Sequence, residues 1–131
     1  MLSIKIITPL GLYMEREVEA VHVKTVEGET TLLPNHIPFV AMLETCKLQL
    51  KEKGTYKDYA LAGGMLHLLD NKVNILSDAI EGHDEIDVER ARKALERAKR
   101  RLEKKDSKTN QHRAEVAMAK AINRIRVYGD R

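Results

Sequence analysis

The chain has 131 residues, 43% of them apolar, with no Trp, a single Phe and a single Cys. That is enough for one ordinary domain, or a small domain with an appendage. It excludes an internal disulfide and, with no apolar run of about 18 residues, a membrane-spanning helix. Residues 1–82 carry 8 Lys/Arg against 11 Asp/Glu, and residues 83–131 carry 15 against 9, so an acidic segment (net −3) precedes a basic one (net +6).

The acidic segment reads as short strands. Leu2-Ser3-Ile4-Lys5-Ile6 alternates and ends at the turn Pro9-Leu10-Gly11. Val21 to Lys24 alternates until Glu27-Gly28-Glu29 breaks it. Cys46 to Lys51 alternates up to Lys53-Gly54, with Cys46 as a small buried hydrophobe. Tyr59-Ala60-Leu61 runs to Gly63-Gly64, and Val73-Asn74-Ile75 follows Asp70-Asn71-Lys72. Period-two runs separated by turn residues predict a β-sandwich or barrel over 1–82.

From Asp87 to Asn123 there is neither Gly nor Pro, and Ala, Leu, Glu, Lys and Arg dominate. Val88, Ala91, Leu95, Ala98 and Leu102 step by three and four, and Asp87 suits the N-cap. Asp106 to Asn110 interrupts the pattern. A second stripe follows: Ala114, Met118, Ala121, Ile125 and Tyr128. The spacing predicts helices over about 87–105 and 111–128, paired as a hairpin spanning 83–131, and an α+β chain overall. Both stripes are rich in Ala. A buried CH₂ contributes roughly 0.8 kcal/mol, so such a seam holds the hairpin shut weakly.

No catalytic or metal-binding pattern is present. There is no Gly-x-x-x-x-Gly-Lys-Ser/Thr loop, no His-Glu-x-x-His and no Cys-x-x-Cys. Five histidines are scattered, and His36, between Asn35 and Ile37-Pro38, reads as a residue that fixes a turn. The basic helices are more informative. Arg90, Arg97 and Arg101 share a face of the first, and Arg113, Lys120 and Arg124 repeat the spacing on the second. Spacing leaves two readings open. One is a solvated basic face with i,i+4 ion pairs; the other is converging guanidinium groups that take phosphates bidentately. Nucleic-acid binding fits poorly, because the helices offer only Tyr128 for stacking and the β segment is acidic.

Four pieces in order resemble the epsilon subunits of rotary F-type ATP synthases. They are the opening strand with Thr8-Pro9-Leu10-Gly11; Gly28-Glu29 and then Leu32-Leu33-Pro34-Asn35-His36-Ile37-Pro38; Ala62-Gly63-Gly64-Met65 leading to Asn71 through Asp78; and Glu85-Ile86-Asp87-Val88-Glu89-Arg90-Ala91. Thr31 stands where the family usually has Gly, and Met65 where it usually has Phe.

The resemblance implies a sandwich of about ten strands with a two-helix C-terminal domain. It implies a non-catalytic regulatory subunit on the cytoplasmic face of the cell membrane, peripheral and without direct membrane insertion. The implied partners are the gamma subunit, the c-ring and the catalytic alpha and beta subunits; no nucleic acid is implied. It further implies that the hairpin inhibits ATP hydrolysis when extended and binds ATP, with or without Mg, when folded. On that reading Asp87 accepts from the nucleotide or caps the helix, and Ile86 and Ala91 pack on the adenine. Arg90, Arg97 and Arg124 reach phosphates, and Glu81 touches adenine or ribose. Lys120 stands where relatives use a phosphate-binding Arg. The competing expectation is an adaptor or scaffold with no nucleotide site.

Overall fold

A computed structural model describes residues 1–104 and 108–129. The chain forms two compact units, Met1–His83 and Asp84–Arg131. The first contains eight strands: β1 (Leu2–Thr8), β2 (Gly11–Val18), β3 (Ala20–Thr25), β4 (Gly28–Leu32), β5 (Phe39–Glu52), β6 (Thr55–Leu69), β7 (Lys72–Leu76) and β8 (Ile80–Gly82). The hydrogen-bonded order is β2-β1-β7-β6-β5-β3-β4, with β8 also on β6. All pairs are antiparallel except β1 with β7.

Eight strands stand where the resemblance implies about ten, and β5 and β6 account for the difference. They are 14 and 15 residues long, and each serves two sheets. The half from Phe39 to Leu43, paired with Gly64 to Leu68, joins β7, β1 and β2. The half from Thr45 to Glu52, paired with Thr55 to Ala62, joins β8 and the Ala20–His22 part of β3, whose end at Thr25 reaches Leu43. Counted by halves, each sheet has five strands. The sheets stack. Arg16 of β2 reaches Glu52 of β5 at 3.2 Å, and Tyr13 of β2 meets Tyr59 of β6 edge-on at 6.5 Å. Along a flat sheet four strand spacings would separate β2 from β5 by roughly 19 Å.

Tight turns fix the register. Lys53 and Gly54 (φ 50° and 78°) close β5 to β6, and Asp70 and Asn71 (φ 50° and 61°) close β6 to β7. Positive φ at both central residues gives the turn that matches strand twist. Gly63 and Gly64 do not end β6. They lie inside it, and a Cβ on Gly64 would collide with the Leu76 carbonyl oxygen. The core between the sheets is aliphatic: Leu2, Ile4, Ile6, Leu48, Leu50, Leu61, Leu66, Leu68 and Ile75 are fully buried. Cys46 is buried on the same alternation, and burial pushes its thiol pKa up.

The second unit pairs α1 (Val88–Glu103) with α2 (Lys108–Gly129). Helix α2 starts three residues before the predicted 111. Its Lys-Thr-Asn opening is polar but holds neither Gly nor Pro to break a helix. The remainder of the predicted break, Asp106 and Ser107, lies outside the described residues, as does the predicted end at 105. Among the described residues, no helix is long and apolar enough to cross a membrane.

Candidate functional site

Helix α1 is started by its own sequence. Asp87 is extended (φ −88°, ψ 95°), and its Oδ1 accepts from the backbone N–H of Arg90 at 3.2 Å. This satisfies one of the amides that a first helical turn leaves without an intrahelical partner. From there the helix presents three faces. Ala91 and Ala98 are buried, with Leu95 and Leu102 half-buried beside them. Glu89 and Glu96 are exposed and pair with Arg92 (3.5 Å) and Arg100 (3.4 Å). On the third face Arg90, Lys93 and Arg97, with Glu96 and Arg100, line a shallow depression of about 430 Å³. Among the described residues no carboxylate pairs with Arg90, Lys93 or Arg97.

Helix α2 has a wider buried arc than a single stripe. Ala114 and Ala121 are buried at the same seven-residue interval as Ala91 and Ala98, and Asn123 and Val127 are buried on a second side. Tyr128, predicted on the stripe, is 42% exposed, and Val127 is buried instead. Lys120 and Arg124 are half-buried; the depression beside Arg90 is lined from α1 and not by them.

The structure regroups the predicted basic stripe. Arg101 does not line the depression with Arg90 and Arg97, where Arg100 stands instead. Arg101 and Lys104 meet Asn110 and Arg113 of α2 around a separate depression of about 340 Å³. One member of each basic stripe, Arg101 and Arg113, stands there, where α1 ends and α2 begins. Of the other predicted residues, Ile86 and Ala91 are buried, so they back the site rather than offer open surface. Glu81 belongs to the first unit, half-buried on β8 opposite Ala60. Among the described residues no cluster of three or more His, Cys, Asp or Glu is placed to hold a metal ion.

The sandwich unit carries surfaces that period-two reading does not reveal. Leu12, Ile7, Leu76, Met65 and Met42 stand opposite one another in register across β2, β1, β7, β6 and β5. Residues in direct register share a face. Four are exposed and Ile7 is half-buried. Val26, exposed, continues the row, its N–H donating to the Met42 carbonyl at 3.0 Å. An apolar strip thus crosses the full width of one sheet. The loop from Leu33 to Pro38 adds a second apolar surface, with Ile37 75% and Leu33 54% exposed. His36 braces it as expected of a turn residue: its Nδ1–H donates to the Ile37 carbonyl at 2.7 Å and its ring packs edge-on to Phe39. Contiguous exposed apolar surface marks an interaction site in a soluble domain.

Residues 1–83 match the family described as "ATP synthase, Delta/Epsilon chain, beta-sandwich domain", and residues 84–129 match "ATP synthase, Delta/Epsilon chain, long alpha-helix domain". The chain is 43% identical over 129 residues to the ATP synthase epsilon chain of Halalkalibacterium halodurans, covering 98% of this chain and 97% of that one. It is 38% identical over 121 residues to the ATP synthase epsilon chain of Desulforamulus reducens, with 92% of each covered. Among solved structures, a chain of the Euglena gracilis mitochondrial ATP synthase (OSCP, F1 and c-ring, rotational state 1) superposes with a TM-score of 0.78 at 26% identity, covering 90% of this chain and 75% of that one. A chain of the Tetrahymena thermophila mitochondrial ATP synthase central stalk and c-ring shares the fold, with a TM-score of 0.67 at 14% identity over 97% of this chain and 96% of that one.

Proposed function

The chain belongs to the ATP synthase delta/epsilon family, and from that premise we propose that it is a central-stalk subunit whose hairpin inhibits ATP hydrolysis and is held folded by ATP. The sandwich docks on the rotor, at the gamma subunit and the c-ring. The apolar strip across β2 to β5 and the Leu33–Pro38 loop give it two surfaces for two partners. The subunit performs no catalysis itself and sits peripherally, on the cytoplasmic face of the membrane.

One observation carries the nucleotide reading: Arg90, Lys93 and Arg97 line one face of a helix whose neighbouring face is an alanine seam. Guanidinium groups not engaged by carboxylates are available to phosphate oxygens, which they bind through charge-assisted pairs. The seam buries methyl groups where the sandwich core buries Leu and Ile, at roughly 0.8 kcal/mol against 1.5–3 kcal/mol per side chain. A ligand that binds only the closed hairpin stabilises it by RT ln(1 + [L]/Kd), about 2.7 kcal/mol at a hundredfold excess. Arg90 and Arg97 take phosphates from α1, and Lys120 and Arg124 from α2. Asp87 and the buried Ile86 and Ala91 set the frame. When ATP falls, the hairpin opens. Its excess of positive charge then docks on acidic surface of the alpha and beta subunits, an association that weakens with salt.

A second reading, a stalk subunit whose hairpin holds no nucleotide, is favoured by the burial of Ala91 and by a depression lined from α1 alone. Calorimetry with MgATP decides. The proposal expects heat from the parent chain, and little from Arg90→Ala or Arg97→Ala. No heat from the parent leaves the mechanical subunit.

A further inference from the structure

The Leu33–Pro38 loop has no regular secondary structure, yet it exposes two large aliphatic side chains, Leu33 and Ile37. Asn35, at its centre, has φ 67°. Across from it Asn71, in the β6–β7 turn, has φ 61°. The two amides interlock: the Asn35 backbone N–H donates to Asn71 Oδ1 at 2.6 Å, and Asn71 Nδ2 donates to Asn35 Oδ1 at 3.3 Å. Asn71 is itself anchored, because its carbonyl accepts from the Ser3 backbone N–H at 2.8 Å. Inside the loop the His36 N–H donates to the Leu33 carbonyl at 3.3 Å. Among the described residues, the hydrogen bonds that tie the loop to a distant part of the chain are the two between Asn35 and Asn71.

A left-handed backbone and a side-chain amide meet at both positions. Gly would adopt the backbone as readily and Asp would keep the acceptor, but Asn supplies conformation, acceptor and donor together. The pairing lies at the surface, where a hydrogen bond adds little net stability to the fold. Its effect falls on the loop. Ordering a backbone residue costs about 1–2 kcal/mol, and a docking loop that is already ordered spares its partner that cost.

From this we infer that Asn35 and Asn71 are positioning residues, a clamp that pre-orders Leu33 and Ile37 for docking on the rotor. The inference rests on the docking reading above and deepens it.

The test uses the full chain and a purified rotor subcomplex of the gamma subunit and c-ring lacking this subunit. Asn71→Gly keeps the left-handed turn and removes the clamp; Asn71→Asp keeps the acceptor for the Asn35 N–H and removes the donor. Three readouts are needed: the melting of the sandwich, amide exchange over residues 33–37, and affinity for the rotor. For Asn71→Gly the clamp predicts near-parental melting, with loop exchange and dissociation constant each raised roughly tenfold, the equivalent of about 1.4 kcal/mol. Asn71→Asp falls between, and supplies the same reading if the glycine variant melts early. Unchanged loop exchange in both variants overturns the clamp, and so does a loosened loop with parental affinity. Ile37→Asp separates the clamp from the docking reading: if Ile37→Asp loses affinity while both Asn71 variants keep it, the clamp alone is wrong. If Ile37→Asp also keeps it, the loop does not dock.

Discussion

Asp87 and Arg90, two of the three polar residues of the Ile86–Ala91 segment, are joined within the protein itself, the Asp87 carboxylate capping the helix at the Arg90 amide at 3.2 Å. One of its two carboxylate oxygens is thereby engaged by the fold. Asp87→Ala is expected to cost the hairpin about 1 kcal/mol, the usual effect of losing an N-cap. Because ATP is proposed to bind only the closed hairpin, its apparent affinity falls with it. Asp87→Ser restores the cap without the charge, and most of the affinity should return. Calorimetry on both variants checks this; a serine variant as weak as the alanine one would mean that the carboxylate meets the nucleotide.

Lys120 is half-buried on α2, at the position where the family resemblance implies a phosphate-binding arginine. An ammonium is a point donor and a guanidinium a planar fork, so Lys120→Arg should tighten ATP binding several-fold, by roughly 1 kcal/mol for one added charge-assisted hydrogen bond. The same titration, repeated at higher salt, checks it. An unchanged constant removes Lys120 from the site.

Glu52 couples the stacked sheets, with Lys57 at 2.9 Å and Arg16 at 3.2 Å. Burial works to raise its pKa, but the hydrogen bonds and charges of Lys57 and Arg16 outweigh burial and hold it below the ordinary glutamate value. A carboxylate whose folded pKa lies below its unfolded one stabilises the fold above the unfolded value, near 4.5, and loses that contribution as pH falls through the folded value. Glu52→Gln should therefore be less stable than the parent at pH 7, and the gap should close in acid. Denaturant melts at several pH values measure it.

The sequence announces those elements whose burial repeats with a simple period. In β5 every second residue from Cys46 to Leu50 is buried, and the strand is plain to read. Strand β2 escapes because only Met14 and Val18 of its eight residues are buried, four apart; β4 escapes because only Leu32 is, and β8 has three residues. Gly63-Gly64 resembles a strand end, but Gly64 is demanded by the Leu76 backbone across the sheet and Gly63, at φ 78°, by its left-handed conformation against the Leu43 carbonyl, constraints no local pattern carries. In the hairpin, the Asp87 cap and the alanine seam are legible in the spacing. The division of the arginines is not, since Arg101 belongs with Arg113 only once the second helix has returned beside the first. Asn123 and Val127 were hidden for a related reason: a one-stripe template cannot anticipate a second buried arc.

The central claim is that ATP holds shut a hairpin whose seam is too weak to stay closed unaided. Native-state hydrogen exchange tests it most directly, by comparing the amides of Ala98 and Ala121 with those of Ile4, Leu48 and Leu66 in the sandwich core. Without nucleotide the hairpin amides should exchange far faster than the core; saturating MgATP should slow the hairpin by about a hundredfold, the equivalent of 2.7 kcal/mol, and leave the core unchanged. A hairpin as protected as the core without ATP, or one indifferent to it, would contradict the account.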